Sequence, residues 1–355
     1  MLNITISQSK QLKAKPDESN LGFGQFFTDH MFMMDYTEGM GWHDPRVIPY
    51  QPLMLDPATM LFHYGQEMFE GLKAYRDEKD EIILFRPEKN GERVNVTNER
   101  ICLPYLPVED FVQSIKTLIS VDKEWVPRLA GNSLYIRPFI IATDPFLGVR
   151  PSETYKFMII LSPVGAYYKE GINPVKIWVE KEFVRAVKGG VGYAKTGGNY
   201  VASLKAQINA KKRGFTQVLW LDGIERKYIE EVGTMNVFFK INGKVVTPSL
   251  NGSILPGVTR DSVIELLRSW DVEVSEERIS IDQLIEYHRI GLLEEAFGTG
   301  TAAVISPIGE LFYEDQEYIL NEGKIGELSA KVYSELMGIQ TGKNTDIFNW
   351  TTRVE

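Results

Sequence analysis

The segment from Pro163 to Pro174 divides a long chain into two halves of mixed secondary-structure pattern. It reads PVGAYYKEGINP, and its glycines and prolines interrupt any helical or strand periodicity. The chain has 355 residues, which is more than one hydrophobic core usually serves. The sequence therefore predicts an α/β protein of two domains, with the first domain at residues 1–163, an interdomain loop at 164–174 and the second domain at 175–355.

Hydrophobic patterns predict a strand, two helices and two further strands in the first half. Residues 80–85 are short and β-branched, which predicts a strand followed by a helix that runs to Ile101. From Val108 onward the apolar residues keep to one helical face, which predicts a second helix. Residues 134–141 and 155–161 are dense in Ile, Tyr and Phe and predict two neighbouring strands.

The second half carries a similar mixture of strand and helix signals. Gln217 heads the strand-like run QVLWL, and Asn242-Gly243 between β-rich flanks is a strong two-residue hairpin signal. A helical pattern follows the glycine-rich run at residues 189–200 and continues through Ala210. Both halves are therefore predicted to combine a sheet with helices.

The charge balance and the apolar runs argue against several classes of partner. Lys plus Arg is 39 and Asp plus Glu is 48, so the formal net charge is -9, which disfavours nucleic acid. The apolar runs are shorter than the roughly 18 residues of a membrane span, and the first residues lack the apolar core of a secretion signal. The single cysteine excludes an intrachain disulfide framework. We expect a cytoplasmic protein in which Cys102 is a buried small apolar residue.

The histidines do not form a metal-binding pattern. The four of them stand at His30, His43, His63 and His288, with neither HExxH nor another ligand spacing. No metal site is predicted.

The longest glycine-rich run contains one lysine. Residues 189–200 read GGVGYAKTGGNY with Lys195 near the centre, and the run lacks the GxxxxGK[ST] pattern of a nucleotide-binding loop. A lysine in such a run is ordinarily a solvated surface charge, and the run alone favours that interpretation. The alternative is an amine held among small residues as the nucleophile for a carbonyl cofactor.

Two further turns could present backbone amides to an anion. LPGVTRDS from Leu255 runs into a helical pattern that Thr259 could cap, and FGTGTAAV from Phe297 places two threonines among small residues. Each could equally be an ordinary turn. The adjacent Glu230 and Glu231 could face solvent, or one could point inward against a protonated ring nitrogen. Together with the lysine, these turns would suit a phosphate-bearing cofactor attached to an amine.

Seven segments that occur in order over nearly the whole chain form one sequence pattern. They are HYGQEMFEGLKAY from His63, FRPEKNGERV from Phe85, YIRPFIIATDPFLGV from Tyr135, KGGVGYAKTGGNY from Lys188, EVGTMN from Glu231, LPGVTRDS from Leu255 and FGTGTAA from Phe297. This set resembles the branched-chain amino acid aminotransferases of the fold type IV pyridoxal-phosphate family. The resemblance implies a two-domain α/β (α+β type) enzyme, with a small N-terminal α+β domain and a larger C-terminal mixed β-barrel-like domain with helices.

The resemblance also implies a binding site for pyridoxal 5'-phosphate. Lys195 matches the family lysine that forms an aldimine with the cofactor and moves the proton at the substrate Cα. Glu231 matches the carboxylate paired with the pyridine nitrogen, and Tyr200 matches the phenol bonded to the cofactor O3′. The phosphate would be bound by Arg93, by Arg185, by the amides of Val258 and Thr259 and by the hydroxyl of Thr301.

Substrate residues follow from the same resemblance. Tyr64, Tyr135 and the amide of Ala302 match positions that hold the α-carboxylate, Phe69 and Tyr167 resemble walls of the apolar side-chain pocket, and Arg137 resembles the residue credited with binding the second carboxylate of glutamate. An apolar wall separates substrates that differ by one methylene by only about 1–3 kcal/mol. A strict preference among the branched substrates is therefore not expected.

The implied activity is reversible transamination of L-leucine, L-isoleucine and L-valine with 2-oxoglutarate, which gives the branched-chain 2-oxo acid and L-glutamate. The first half-reaction releases the 2-oxo acid and leaves the cofactor as the amine, and 2-oxoglutarate then reverses the steps, so ping-pong kinetics are expected. Family members are dimers with the active site near the subunit interface, so at least a homodimer is expected here. Residues 302–306 carry no cysteine where some relatives have a CxxC thiol switch, and no such redox regulation is predicted.

Three other functions fit the sequence less well. D-amino acid aminotransferases and aminodeoxychorismate lyases share the lysine, the glutamate and the phosphate turns, but the YIRP, GGNY and paired-tyrosine segments argue against both. A non-catalytic metabolite-binding protein is disfavoured because Lys195, Tyr200 and Glu231 are all present. An NAD-dependent dehydrogenase would need a GxGxxG between a strand and a helix, which the sequence does not convincingly supply.

Overall fold

The computed structural model describes residues 2–165 and 172–354, which form two compact units. The described parts of the first unit are residues 2–165, Ala194–Gly197 and 338–354; those of the second unit are residues 172–193 and Gly198–Met337. Each unit is built around its own sheet.

The two units are not continuous in sequence, whereas the sequence predicted one continuous stretch for each domain. The first unit gathers the short segment around Lys195 and the last residues of the chain. The predicted interdomain loop at 164–174 lies mostly outside the described residues, and the domain boundaries stay a prediction.

Residues 2–165 form both strands and helices, and the strand, two helices and two neighbouring strands predicted between residues 80 and 161 are present. In chain order they are Thr5–Ile6 (β1), His30–Thr37 (β2), Gly41–Pro49 (β3), Met60–Tyr64 (α1), Glu67–Phe69 (β4), Leu72–Arg76 (β5), Ile82–Phe85 (β6), Pro87–Arg100 (α2), Val108–Val121 (α3), Ser133–Ala142 (β7) and Thr154–Val164 (β8).

The remaining elements lie between residue 172 and residue 354. They are Val175–Glu180 (β9), Gly197–Lys212 (α4), Gln217–Leu221 (β10), Ile229–Val232 (β11), Met235–Ile241 (β12), Lys244–Thr247 (β13), Val258–Ser269 (α5), Val274–Glu276 (β14), Ile281–Arg289 (α6), Leu293–Gly300 (β15), Val304–Tyr313 (β16), Gln316–Ile319 (β17), Glu327–Gln340 (α7) and Thr351–Val354 (β18). No helix in the described ranges combines the length and the apolar character needed to cross a membrane.

The sheet of the first unit is ordered β1-β3-β2-β8-β7-β5-β6-β18, with β4 beside β7. Side chains of β7 alternate between its two faces, as a strand requires. Leu134 and Ile136 are buried in the same apolar cluster as residues of α3. Tyr135, Arg137 and Phe139 lie on the opposite face and are only half-buried. The face that carries predicted site residues is therefore the one turned away from the apolar core.

Register across the sheet extends this half-buried face to the neighbouring strands. Tyr135 lies opposite Lys73 of β5 and opposite Ser162 of β8. Phe139 lies opposite Phe69 of β4. Because residues directly opposite each other share a face, these side chains form one surface, which we call the β7 face.

The second unit contains a closed ring of strands. Among the described residues, the sheet runs β11-β10-β9-β16-β15-β12, and an additional pairing of β11 with β12 joins its two ends. Parallel pairs lie on both sides of β9, and the other neighbours in the ring are antiparallel. The expected mixed, barrel-like second domain is confirmed. The hairpin signal is also confirmed, because Asn242 and Gly243 join β12 to β13, both with positive φ.

Cys102 corrects one sequence-based expectation. It was expected to be buried, but it is exposed in the turn that follows α2. Its φ of 59° places it in the left-handed region, so the local backbone and not apolar packing determines its position.

Candidate active site

Lys195 is fixed through its backbone to two elements of the first unit. Its N–H donates to Thr97 Oγ1 of α2 at 2.9 Å, and its carbonyl accepts from the N–H of Phe69 at 3.0 Å. The Nζ atom lies 5.1 Å from the centroid of the Phe69 ring. The lysine is therefore held among packed residues, which supports the cofactor interpretation over that of a solvated surface charge.

The ring of Phe69 carries a second cation. The Arg137 guanidinium carbon lies 4.8 Å from the ring centroid, within cation–π range. Arg137 Nη2 also donates to the hydroxyl of Tyr135 at 3.1 Å. Gly71 is required beside this cluster, because a Cβ there would occupy the position of the Tyr135 hydroxyl. The β7 face thus brings together four predicted residues: Lys195, Phe69, Tyr135 and Arg137.

Arg93, predicted to bind phosphate, forms a buried pair with Glu70. Its Nε donates to Glu70 Oε1 at 2.8 Å and its Nη2 to Oε2 at 2.9 Å. Glu70 is fully buried and also accepts from Asn90 Nδ2 at 2.8 Å. Burial raises the pKa of Glu70, but the charges of Arg93 and Lys195 outweigh it and bring the pKa below its usual range. Glu70 therefore remains ionised close to the lysine.

Glu67 is a residue that the motif comparison did not single out. Its Oε1 accepts the N–H of Gly197 and, at 3.4 Å, the hydroxyl of Thr196. Burial raises the pKa of Glu67, although those two hydrogen bonds and the charge of Arg137 oppose the shift. It lies two residues before Phe69 and on the same face of β4, but a strand of 3 residues gives no sequence signal for that alternation.

In the second unit, Arg185 and Glu231 are both buried and paired. Arg185 Nε lies 3.1 Å from Glu231 Oε2, at ion-pair distance but without hydrogen-bond geometry. Glu231 Oε1 accepts the N–H of Leu255 at 2.8 Å, and Arg185 Nη2 donates to the carbonyl of Ser253. Gly192 allows this approach, because a Cβ there would meet the Ser253 carbonyl. The inward orientation of Glu231, which its spacing left undecided, is observed.

The predicted phosphate turns lie at a helix start and at a strand connection. Val258 and Thr259 are the first residues of α5, where backbone N–H groups point out of the helix. The expected capping by Thr259 is wrong: the cap residue is Gly257, and no side chain caps this helix. Gly257 is needed because a Cβ there would meet Asn236 Oδ1. Thr301 and Ala302 lie in the turn between β15 and β16, and Tyr200 lies in the first turn of α4.

Of the other predicted substrate residues, Tyr64 makes its hydrogen bond outside the β7 face. Tyr64 ends α1, is 40% exposed and donates its hydroxyl to the carbonyl of Leu147. Tyr167 lies outside the described residues. Within the described ranges, no group of three or more His, Cys, Asp or Glu side chains could hold a metal ion.

Buried polar atoms in the second unit fit a polar ligand. Arg185 Nε, Glu230 Oε2 and Thr299 Oγ1 have no hydrogen-bond partner among the described residues. Buried polar groups are nearly always satisfied, so such atoms indicate a site for polar ligand atoms. A cofactor with a phosphate, a phenolic oxygen and a ring nitrogen matches this chemistry.

Comparisons with known proteins agree with this chemistry. The family model for amino-transferase class IV matches residues 67–311. Branched-chain-amino-acid aminotransferase 2 of Bacillus subtilis (strain 168) is 62% identical over 351 residues, covering 99% of this chain and 97% of the relative. Branched-chain-amino-acid transaminase 1 of the same strain is 56% identical, covering 99% and 100%.

Solved structures show the same fold. The branched-chain amino acid aminotransferase from Escherichia coli matches with a TM-score of 0.73 at 25% identity, covering 92% of this chain and 99% of that one. The T.th. enzyme complexed with N-(5'-phosphopyridoxyl)-L-glutamate matches with a TM-score of 0.74 at 25% identity, covering 91% and 98%. This chain therefore belongs to the pyridoxal-phosphate-dependent branched-chain-amino-acid aminotransferases of the class IV aminotransferase family.

Proposed function

We propose that this aminotransferase interconverts L-leucine, L-isoleucine and L-valine with their 2-oxo acids, using 2-oxoglutarate and L-glutamate as the second substrate pair in a ping-pong reaction. The observation that carries this proposal is that the ring of Phe69 lies close to both the amine of Lys195 and the guanidinium of Arg137. An apolar surface beside a reactive amine suits a branched side chain. A guanidinium at the same surface suits a second carboxylate.

The bound cofactor, pyridoxal 5'-phosphate, supplies an electron sink for the charge that develops at the substrate Cα. Lys195 would hold the cofactor through its amine and then carry the proton to and from Cα. Glu231, which pairs with Arg185, would accept a hydrogen bond from the ring N–H, and Tyr200 would donate to the phenolic oxygen. The phosphate would be bound by Arg93, by Arg185, by the amides of Val258 and Thr259 and by the hydroxyl of Thr301.

The substrate would be oriented by the remaining predicted residues. We infer that Tyr64, Tyr135 and the amide of Ala302 bind the α-carboxylate, and that Phe69 and Tyr167 contact the apolar side chain. Arg137 would bind the second carboxylate of glutamate. The T.th. relative complexed with a phosphopyridoxyl derivative of L-glutamate supports the use of this amino acid.

We also propose that two copies of the chain form a homodimer in the cytoplasm. Large apolar side chains of the first unit are exposed, including Met54, Phe62 and Val149, and a contact between two copies would remove such side chains from water. The single cysteine fits a reducing compartment.

The proposal is tested by the visible absorption of the purified holoenzyme. L-leucine should abolish the band of the lysine-bound cofactor and release one 4-methyl-2-oxopentanoate per site, and 2-oxoglutarate should restore the band and yield L-glutamate. Lys195→Ala is the control and should show neither change. A band that responds to D-alanine but not to L-leucine would contradict the proposal.

A further inference from the structure

Glu67 and Arg137 lie at the two ends of one short apolar surface on the β7 face. Glu67 and Phe69 are two residues apart in β4, opposite Ile141 and Phe139 of β7 respectively. Arg137 precedes Phe139 by two residues, so its side chain emerges on the same face. A carboxylate and a guanidinium therefore flank the ring of Phe69, which is proposed to contact the substrate side chain.

Arg137 is suited to bind an additional acceptor. Its Nε atom is buried and has no hydrogen-bond partner among the described residues, while its Nη2 donates to Tyr135. An anionic substrate group could be bound by this nitrogen. When the substrate side chain is apolar, however, the guanidinium needs a nearby negative charge, because a partly buried cation is costly without one.

Glu67 supplies that charge from a fixed position. Its Oε1 is held by the N–H of Gly197 and the hydroxyl of Thr196, and these residues directly follow Lys195. The positive charge of Arg137 acts on Glu67 in the direction that lowers its pKa, against the effect of burial. The same negative charge would repel a second carboxylate that approaches Arg137.

We propose that Glu67 determines how the pocket discriminates between apolar and acidic substrates. Its carboxylate balances Arg137 while a branched side chain is bound, and it takes up one proton from solvent when the second carboxylate of 2-oxoglutarate or L-glutamate binds Arg137. This inference rests on the proposed use of both substrate classes in one pocket.

The surrounding groups make Glu67 the carboxylate that can change charge. Arg137 acts on it from β7, Lys195 is the other cation at Phe69, and Tyr135 presents a hydroxyl beside Arg137. Lys73 of β5 lies opposite Tyr135 on the same face, and burial lowers its pKa to about 8. The Arg93–Glu70 pair, formed with α2, is internally balanced, and the pKa of Glu70 is lowered. Burial instead raises the pKa of Glu67, so this carboxylate takes up a proton at a higher pH than an ordinary glutamate does. The KM for 2-oxoglutarate should consequently fall as the pH is lowered.

Glu67→Gln tests the proposal by removing the charge while keeping an oxygen that accepts the Gly197 N–H. The KM for 2-oxoglutarate and for L-glutamate should fall about three- to tenfold, as expected for the loss of one nearby, partly screened like charge. The KM for 4-methyl-2-oxopentanoate should rise instead, because Arg137 then lacks its balancing charge beside an apolar side chain. The kcat values should stay unchanged. The fall of the 2-oxoglutarate KM on acidification, which is expected in the wild type, should be weaker in the variant, in which Lys73 still titrates.

Three further variants separate charge from structure. Asp35→Asn removes a half-buried carboxylate that pairs with Arg46 and Lys156, and it should leave every KM unchanged. Glu67→Asp keeps the charge and should retain the pH dependence. Glu67→Ala also loses the acceptor for Gly197 and should lower kcat with all substrates.

The proposal is overturned if Glu67→Gln changes the KM of apolar and acidic substrates alike, or changes only kcat, because either result indicates a structural role. It is also overturned if the pH dependence persists undiminished in that variant. A wild-type enzyme that transaminates L-leucine with another oxo acid but does not use 2-oxoglutarate would refute the proposed second substrate. In that case the role of Glu67 would be refuted because the proposed function is wrong, whatever the Glu67→Gln variant shows.

Discussion

The residues around Lys195 and the residues around Glu231 are positioned in different ways. In the first unit, side chains on neighbouring strands meet because register and alternation place them on one face. In the second unit, Arg185 and Glu231 are held by backbone groups of turns, namely the carbonyl of Ser253 and the N–H of Leu255. A sheet face therefore tolerates side-chain adjustment, whereas a turn-built site depends on the path of the backbone.

The largest effect is expected on kcat when Lys195, in the first unit, is replaced. Lys195→Ala should lower kcat by at least about 10³-fold, because it removes both the amine and the proton carrier. The chain should remain folded by circular dichroism. Lys205→Ala, on the exposed side of α4, is the control and should keep wild-type activity. Substantial transamination by Lys195→Ala would contradict the assignment.

The Arg93–Glu70 and Arg185–Glu231 pairs allow a direct comparison of stability between the regions. Glu70→Ala and Glu231→Ala each remove the carboxylate of a buried pair and should each cost about 3–5 kcal/mol of unfolding free energy. Urea unfolding measures both. Glu225→Ala breaks an exposed pair with Arg278 and should cost about 1 kcal/mol or less. Equal costs for the buried and exposed variants would show that burial does not set these energies.

Acidification should affect Glu70 in a predictable direction. Its pKa in the folded protein is lowered, so its stabilising contribution is present above the ordinary pKa of glutamate. That contribution is lost as the pH falls through the lowered folded value. The stability difference between wild type and Glu70→Gln should therefore shrink below about pH 4.5. A difference that grows on acidification would mean that Glu70 is protonated in the folded state.

Two glycine substitutions test whether each region depends on side chains that can move or on the path of the backbone. Gly192→Ala places a Cβ against the Ser253 carbonyl, which cannot move alone, and should cost about 1–3 kcal/mol. Gly71→Ala meets the hydroxyl end of Tyr135, which can shift at smaller cost to stability but should raise the KM of all substrates. Thermal unfolding and steady-state kinetics measure the two effects. A larger loss of stability in Gly71→Ala than in Gly192→Ala would contradict the proposed difference between the two regions.

The smallest effect is expected at Cys102, which is the one cysteine of the chain and lies at an exposed turn. Peroxide should leave the activity unchanged, because the stretch at 302–306 contains no thiol. Cys102→Ser should change the unfolding free energy by less than about 0.5 kcal/mol. Peroxide inactivation that this substitution prevents would show an unexpected redox response.

Periodic features of the fold were predictable from sequence. The apolar spacing from Val108 predicted α3, and the residues that predicted neighbouring strands form β7 and β8. These features follow from local patterns of period 3.6 or 2. The short strand β4 was not predicted, because three residues carry too little periodicity to be recognised.

Site residues were predictable only to the extent that motifs marked them. The motifs identified Arg93, but its bidentate pairing with Glu70 depends on how α2 packs beside β4, which no local pattern encodes. Thr259 was expected to cap α5, yet the backbone path places Gly257 at the cap position. Glu67 was missed because its role arises from strand register and not from a motif.

Locating the lysine that carries the cofactor tests the central claim most directly. The holoenzyme would be reduced with sodium borohydride, digested and analysed by peptide mass spectrometry. We predict that the phosphopyridoxyl group is found on Lys195 and on no other lysine. A modified peptide containing a different lysine, or none that contains Lys195, would contradict the account.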